Sequence, residues 1–174
     1  MPTTISIRKQ LYWSLLSYEG WSVHLAAVEE GLCFVGSHNQ PFEELTEWAK
    51  RRMPGFDLLH DDGVMQLYAD EFIRYLQGEL EQFTLPIYYK GTPFQEAVWK
   101  ALCDIPYGET RSYSDIATDI QKPSSVRAVG TAIGANPILI TVPCHRVIGK
   151  NGSLTGYRGG MEMKMKLLQL ERSI

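Results

Sequence analysis

The segment Pro143-Cys-His-Arg contains the residue types that nucleophilic chemistry by a thiol requires. Cys144 lies between an apolar, β-branched run and a glycine-containing loop, and its neighbours His145 and Arg146 favour a thiolate electrostatically. Adjacent side chains diverge by about 180° in a strand and about 100° in a helix, so Cys144 and His145 can cooperate only through a turn or a bridging water. Cys144 is therefore a candidate nucleophile, although most lone cysteines are small buried side chains.

The other two cysteines have no comparable surroundings. Cys33 lies in a predicted strand and Cys103 on a predicted helix, so we interpret both as ordinary structural residues. An odd number of cysteines without a Cys-x-x-Cys pair predicts neither a disulfide framework nor a conventional zinc site. At least one thiol must be free, and we infer no metal and no cofactor.

Spacing along the sequence does not by itself identify the residues that would act together with Cys144. A histidine base needs a group that orients it, and Glu171 is the only acid near the end of the last predicted helix, although its position alone indicates a solvated surface charge. Arg127 is typical of a phosphate contact or a solvated residue, and Asn136 of a helix-end cap. Tyr113, at a predicted helix start, has no single interpretation.

One predicted helix face lacks bulky side chains. It could approach a narrow nucleic-acid groove, or it could serve close helix packing. The residues on this face are Ala128, Gly130, Thr131, Ala132 and Gly134.

In the first half of the chain, the spacing of apolar residues predicts an antiparallel β-meander followed by helices. Alternating apolar runs around Glu19-Gly20 and Gly31 predict strands over 11–16, 21–28 and 32–35. Helices are predicted over 42–53 and over 64–76, with Leu67, Phe72 and Leu76 as core candidates of the second. A short strand over 85–89 is expected to close this module.

The second half is predicted to be mostly helical. Thr92, Pro93 and Gln95 form a capping-box pattern that starts a helix, and Ser112 can cap a short helix over 113–120. A helix over 124–135 should end at Asn136-Pro137, which predicts a helix-turn-helix. The run 138–142 favours a buried strand or extended segment, and the last helix is predicted over 161–172.

Charge divides the chain at the same place as composition. The formal net charge of −3 consists of −7 over residues 1–89 and +4 over residues 90–174, and Lys90-Gly91 marks the change. At 174 residues with ordinary globular composition, the chain can form one large or two small domains. We therefore predict an N-terminal domain over 1–89 and a C-terminal domain over 90–174, whose basic character suits a polyanion.

Hydropathy excludes membrane classes. No apolar run approaches the roughly 18 residues that a membrane helix needs, and the first ten residues lack the apolar core of a signal peptide. We expect a cytoplasmic protein with no membrane partner.

The motifs together resemble one family. Pro143-Cys-His-Arg-Val-Ile-Gly, preceded by Arg127-Ala-Val-Gly and Asn136-Pro137, is similar to the O6-alkylguanine-DNA alkyltransferases, also called methylated-DNA–protein-cysteine methyltransferases. The resemblance covers residues 92–171 and includes Gly156-Tyr-x-Gly-Gly. It implies an α/β (α+β) fold, in which an RNase H-like N-terminal domain with an antiparallel sheet and helices precedes a mostly helical domain with a helix-turn-helix and an active-site cysteine loop.

The resemblance also implies roles for individual residues. Cys144 would be the alkyl acceptor, His145 its water-bridged base, Glu171 the residue that orients His145, Asn136 a structural tie, and Tyr113 a proton donor to the flipped guanine. Arg127 would fill the space left by the flipped nucleotide, while Val126, Ala128 and Gly130 lie against the minor groove. The substrate pocket would comprise the backbone of Val147, the ring of Tyr157, and Arg158 and Gly159. Some relatives have a serine in place of Arg158, so we expect the backbone N–H there to act.

The implied activity is irreversible, single-turnover repair. A methyl or alkyl group on O6 of guanine, and secondarily on O4 of thymine, would move to Cys144 in double-stranded DNA. No second nucleophile is evident that could cleave the resulting thioether, and we expect a monomer. Two alternatives from other classes stay open: a non-enzymatic module that recognises alkylated DNA, which would replace the acceptor cysteine, and a thiol hydrolase, which would turn over.

Overall fold

The computed structural model describes residues 7–173. Its first half contains β1 (Lys9–Tyr18), β2 (Trp21–Val28), β3 (Gly31–Val35), α1 (Glu43–Arg52), β4 (Phe56–His60) and α2 (Asp62–Leu76). Its second half contains α3 (Pro93–Cys103), β5 (Arg111–Ser112), α4 (Tyr113–Asp119), α5 (Val126–Gly134), a 3-10 turn (Cys144–Arg146), β6 (Val147–Ile148) and α6 (Met161–Leu170). No helix within the described residues is long and apolar enough to cross a lipid bilayer.

The N-terminal sheet is mixed rather than antiparallel. β1, β2 and β3 form the expected antiparallel meander, but β4 pairs parallel to β1 and completes the order β3-β2-β1-β4. β4 was not predicted because it has only five residues and its exposed position 59 is a leucine, 44% exposed, which interrupts the apolar–polar alternation of residue types. A parallel partner also requires a crossover, which α1 supplies.

Two predicted strands are not strands. Residues 85–89 contribute only an isolated bridge between Ile87 and Leu32. Residues 138–142, predicted as a buried strand or an extended segment, contribute only an isolated bridge between Ile138 and Val35 and then turn, with Ile140 in the left-handed region at a φ of 70°. Their apolar, β-branched character reflects burial in the core, which short apolar runs share with strands.

Helix α2 buries the predicted face except at Leu67. Phe72 is buried and Leu76 is half-buried against the core, but Leu67 is 66% exposed, and Met65 and Tyr75 complete the buried face. Residues 65, 72 and 75 are separated by helical repeats, whereas residue 67 points about 140° away from residue 72. The tyrosine at the C-terminal end of this face matters for the site described below.

The helices of the second half begin where the capping residues indicate. Thr92 and Gln95 form the predicted capping box of α3, and Ser112 forms another with Asp115 at the start of α4. Helix α5 starts at Val126, two residues later than predicted, and packs against α4 and α3 through Val129, Ala132 and Ile133. The two short helices α4 and α5 thus form the expected helix-turn-helix pair.

The two halves share one hydrophobic core. The outer edge of β3 is covered by chain from both sides: the amide of Leu32 donates to the Pro86 carbonyl, and the amide of Val35 donates to the Pro137 carbonyl, each at 3.0 Å. The main buried cluster includes residues of β2, α2, α3, α5 and α6. The loop that carries Cys144 is therefore supported from both halves of the chain.

Candidate active site

Cys144 lies in a short, buried 3-10 turn. Its side chain is 3% exposed, its amide donates to the Val142 carbonyl at 2.8 Å, and the Nδ2 of Asn136 donates to its Sγ at 3.2 Å. Burial raises the pKa of the Cys144 thiol, while the Asn136 hydrogen bond and the charges of Arg158 and Lys164 act in the opposite direction. The surroundings therefore keep the thiol protonated at rest but contain groups that stabilise a thiolate.

The source of that stabilisation differs from the sequence-based expectation. His145 and Arg146 were expected to favour the thiolate as neighbours of Cys144 in the chain. Burial instead lowers the pKa of His145, which favours its neutral form, and the Arg146 guanidinium is bound to Glu171. Successive side chains along a 3-10 turn point in different directions, so the side chains of His145 and Arg146 do not bring a positive charge to the sulfur of Cys144.

Asn136 connects the end of α5 to the cysteine. It is 1% exposed; its Nδ2 donates to the Val142 carbonyl at 2.9 Å as well as to Sγ, and its Oδ1 accepts from the Ile138 amide at 2.9 Å. These hydrogen bonds hold the two ends of the buried turn 138–142 close together. The resemblance predicts Asn136 beside the site, and the structure places its amide against the sulfur of Cys144.

His145 and Glu171 form a buried pair. The Nε2 of His145 lies 2.8 Å from Oε2 of Glu171, and both side chains are fully buried. Because a carboxylate accepts hydrogen bonds, Nε2 carries the proton and Nδ1 has a free lone pair. Nδ1 is buried and has no hydrogen-bond partner within the described residues. That nitrogen is the atom available to accept a proton through a water.

Glu171 is not a solvated surface charge. It is 2% exposed, and Arg146 donates to it twice, from Nε to Oε1 at 2.8 Å and from Nη2 to Oε2 at 2.9 Å. The hydroxyl of Tyr75 donates to Oε2 as well. Burial alone would raise the pKa of Glu171, but the hydrogen bonds from His145, Arg146 and Tyr75 outweigh it and lower the pKa to about 2. Glu171 therefore remains ionised and holds His145.

Three residues near the site were not predicted from the sequence: Tyr75, Lys164 and Thr155. Tyr75 comes from α2 of the other half, and no local signal connects it to residue 171. Lys164 did leave a signal, because it lies on the apolar face of α6 with Leu167 and Leu168, where a charged residue is unexpected. Its buried Nζ donates to the Val147 carbonyl at 2.6 Å and to the Thr155 carbonyl at 3.2 Å. Thr155 also shares a 2.8 Å hydrogen bond with the hydroxyl of Tyr113.

A two-stranded ladder brings Tyr113 towards the cysteine loop. Arg111 and Ser112 of β5 pair in parallel with Val147 and Ile148 of β6, directly after the 3-10 turn. Tyr113, the first residue of α4, is therefore held next to the chain that follows Cys144. The ring of Tyr113 also faces α5, since a Cβ on Gly130 would lie 3.8 Å from it.

The loop before α6 encloses the other side. Val147 is fully buried, and the hydroxyl of Tyr157 is buried without a hydrogen-bond partner among the described residues, while burial raises its pKa. Gly159 has no room for a side chain, because a Cβ there would lie 2.5 Å from Sδ of Met163 and 2.6 Å from the Tyr157 ring. The glycine thus allows the loop to pack closely against α6.

Arg158 points away from this loop. Its Nε donates to the Asn136 carbonyl at 3.0 Å, and its Nη2 donates to the Val35 carbonyl of β3 at 2.9 Å. The guanidinium also lies 5.7 Å above the Phe34 ring. The Arg158 side chain therefore links the two halves of the chain.

The helix-turn-helix presents Arg127 to solvent. Arg127 is exposed, and within residues 7–173 its guanidinium forms no ion pair and no hydrogen bond. Ala128 is exposed beside it, whereas Val126 and Gly130 are half-buried. An open groove of about 680 Å³ runs between this face and the start of α3, lined by Phe94, Arg127 and Thr131 among others.

The structure holds no cluster suited to a metal in the part that it describes. Over residues 7–173, no three His, Cys, Asp or Glu side chains are grouped to hold an ion.

Both halves match models of a single protein family. The model described as the ribonuclease-like domain of 6-O-methylguanine DNA methyltransferase matches residues 11–89. The model described as the DNA-binding domain of the same family matches residues 93–173. The predicted fold class is therefore confirmed, with the mixed sheet as its one correction.

Individual relatives match over nearly the full chain. An inducible methylated-DNA–protein-cysteine methyltransferase of Bacillus subtilis is 64% identical over 93% of this chain and 90% of its own length. The crystal structure of Mycobacterium tuberculosis OGT in complex with DNA is 41% identical, has a TM-score of 0.80 and covers 93% of both chains. An O6-methylguanine-DNA methyltransferase of the archaeon Pyrococcus kodakaraensis is 25% identical, with a TM-score of 0.71 over 93% of this chain and 99% of that one.

Proposed function

The chain belongs to the methylated-DNA–protein-cysteine methyltransferase family, and we propose that Cys144 is the cysteine that accepts the alkyl group. The protein is an O6-methylguanine-DNA methyltransferase that repairs DNA by alkyl transfer to a cysteine. The arrangement that supports Cys144 is its Sγ hydrogen bond from Asn136 beside the buried His145–Glu171 pair. Cys33 and Cys103 have no such partners: the Cys33 thiol donates to the Ala26 carbonyl at 3.5 Å, and Cys103 is exposed on α3.

We propose a direct displacement at the alkyl carbon. The thiol proton of Cys144 passes through a water to Nδ1 of His145, and Glu171 stabilises the imidazolium that forms. The resulting Sγ forms a bond to the alkyl carbon as the bond from that carbon to O6 breaks. The electron pair remains on guanine, which takes a proton from the Tyr113 hydroxyl; solvent then returns a proton to the phenolate and takes one from the imidazolium. A soft thiolate suits this reaction because an alkyl carbon on an aromatic oxygen is a poor electrophile.

The transfer should occur once per molecule. The product is a thioether, which is chemically inert, and the proposed mechanism contains no step that cleaves it. Buried His145 can shuttle a proton, but it cannot regenerate the thiol. We therefore propose stoichiometric, irreversible repair, with O4-alkylthymine as the secondary substrate.

For access to the base, we propose extrusion through the minor groove. Arg127 is exposed and unpaired within the described chain, so it is free to enter the space left by the nucleotide. The small side chains of Ala128 and Gly130, with Val126, allow α5 to approach the groove. The extruded guanine would meet the ring of Tyr157, the carbonyls of Cys144 and Val147, and the backbone N–H at Arg158. Gly159 would keep that loop close to α6.

The expected partner is duplex DNA that carries an alkylated guanine. DNA binding is supported by the family model over residues 93–173 and by the Mycobacterium tuberculosis relative solved with DNA. We further propose that the protein is a monomer, that its domains divide at residues 89 and 90, and that it works in the cytoplasm, where reducing conditions keep the acceptor thiol free.

Intact-mass spectrometry after incubation with O6-methylguanine duplex tests the assignment of Cys144. The expected result is one added methyl group per chain, mapped by peptide analysis to Cys144. Cys144→Ser should abolish transfer and retain DNA binding, because a hydroxyl of much higher pKa cannot supply the anion. Cys33→Ser and Cys103→Ser are the matched controls and should each accept one methyl; a folded control variant that fails to react would contradict the assignment.

The same reaction with a labelled methyl group separates the two alternatives. A damage-recognition module would leave all label on the DNA, and the presence of Cys144 argues against it. A thiol hydrolase would release label into solution with turnover. Label retained on the protein at a ratio of one is the result that the proposed mechanism requires.

A further inference from the structure

A second groove lies where the two halves of the chain meet. It encloses about 420 Å³, within the range of ligand-binding clefts, and reaches from the end of α1 to the start of α3. Arg51, Arg52 and Lys90 line it, together with the aromatic side chains of Trp48 and Tyr88. We call it the junction groove. None of the residues described above as acting on the alkyl group lines it.

The charge of the junction groove is opposite to that of the domain around it. Residues 1–89 carry a net charge of −7, yet no aspartate or glutamate lines the groove. Arg51, Arg52 and Lys90 are exposed, and none of them forms an ion pair with a carboxylate in the part of the chain that the structure describes. Basic residues also stabilise a helix C-terminus, but that role does not account for Lys90, which lies outside α1.

The junction groove adjoins the groove beside Arg127. Thr92 and Gln95, at the start of α3, line both of them. A DNA strand that lay along α5 and continued past Thr92 and Gln95 would therefore meet the edge of the junction groove, where the three cations lie. Cationic side chains beside aromatic rings are the combination that proteins use to follow a nucleic-acid backbone.

We propose that the junction groove binds the phosphate backbone of the DNA strand that flanks the lesion, so that the N-terminal domain extends the DNA footprint. This inference rests on the proposed function, because it takes the orientation of the DNA from Arg127 and α5. It adds Arg51, Arg52 and Lys90 as contacts that position the duplex without touching the alkylated base.

Salt dependence of duplex binding measures these contacts. Each phosphate contact contributes about 0.9 to the slope of log affinity against log salt concentration. Arg51→Gln, Arg52→Gln and Lys90→Gln should each lower that slope, by up to about 0.9, which corresponds to an affinity loss of up to about eightfold at 0.1 M salt relative to 1 M. The matched control is Arg74→Gln, which removes the same charge from an exposed position on α2 that does not line the groove.

Two further measurements make the outcome specific. Reaction with free O6-methylguanine base should proceed at the wild-type rate in all four variants, because a free base has no flanking phosphates. Inorganic phosphate, titrated while tryptophan fluorescence is followed, tests a free anion as the ligand: saturable phosphate binding that methylated duplex does not displace would overturn the proposal. Unchanged salt slopes in the three groove variants, or the same decrease in Arg74→Gln, would overturn the proposal.

The result is distinguishable from failure of the proposed function. If wild-type protein does not gain a methyl group from methylated duplex, the assignment of Cys144 fails, whatever the slopes. If it gains the methyl group and the three groove variants bind duplex with wild-type salt slopes, only the junction-groove proposal fails.

Discussion

Alkylation of Cys144 is expected to destabilise the protein. The side chain is 3% exposed, Val142 and Val147 beside it in the chain are fully buried, and the Asn136 amide lies 3.2 Å from Sγ. A methyl group added to this sulfur must displace packed atoms. Overpacking of a core typically costs about 1 to 3 kcal/mol, against roughly 5 to 15 kcal/mol of total stability for a domain.

The melting temperature converts this cost into a measurable shift. For a chain of this length, each kcal/mol moves the midpoint by about 2 to 4 °C, so full methylation should lower it by about 2 to 12 °C. Asn136 connects the sulfur to the end of α5, so the strain should concentrate on that helix and on the Asn136-Pro137 turn. The spent protein would then have a loosened DNA-binding face.

Thermal unfolding of the reacted and unreacted protein in one buffer, without DNA, is the direct assay. Amide hydrogen exchange over residues 126–137 locates the effect, with α1 as the internal reference. Cys144→Ser treated with the same methylated duplex is the control, and its midpoint should not change. An unchanged or higher midpoint after complete methylation would mean that the pocket already accommodates the group, and the coupling between repair and destabilisation would be wrong.

Three further predictions concern the site and its supports. Arg127→Ala should slow repair of duplex DNA by about tenfold or more while leaving reaction with free O6-methylguanine unchanged, because base extrusion costs a few kcal/mol; equal slowing on both substrates would contradict the role. Lys164→Met should raise the pKa of the Cys144 thiol and shift the pH–rate profile to higher pH, because each unit by which that pKa rises lowers the thiolate fraction about tenfold. An unshifted profile would mean that Lys164 does not stabilise the thiolate. The pKa of Glu171 is lowered to about 2, so its carboxylate stabilises the fold fully above its ordinary value of 4.5 and progressively less as pH falls towards 2; Glu171→Gln should therefore unfold with a weaker pH dependence in that window, as denaturant titration can measure.

Local sequence signals predicted the elements whose stabilising contacts are made by residues close together in the chain. The capping boxes at Thr92 and Ser112 place the helix starts correctly, because a cap is satisfied by residues three positions apart. The meander of β1 to β3 follows from alternation and turn residues. Strand β4 was missed because its sequence alternates only weakly and the strand with which it pairs lies 47 residues earlier in the chain.

Burial of charge was the principal error of local reasoning. Glu171 has the sequence context of a surface residue, yet it is buried against donors from α2 and from the 3-10 turn. Arg146 was expected to stabilise a thiolate at Cys144, but its guanidinium instead forms an ion pair with Glu171. Only the three-dimensional partners decide whether an ionisable group is solvated or enclosed, because the cost of burying a charge depends on what surrounds it.

The sequence by itself determined the identity of the candidate nucleophile, the family resemblance and most helix boundaries, since these depend on residue types and short spacings. The tertiary structure decided which groups act together. It brought Tyr75 to Glu171 across 96 residues of chain, turned Arg158 towards β3, and placed Lys164 behind the cysteine loop. Contacts of this kind have no local signature, because they arise when separate elements pack around one core and their side chains must satisfy each other's charges and hydrogen bonds.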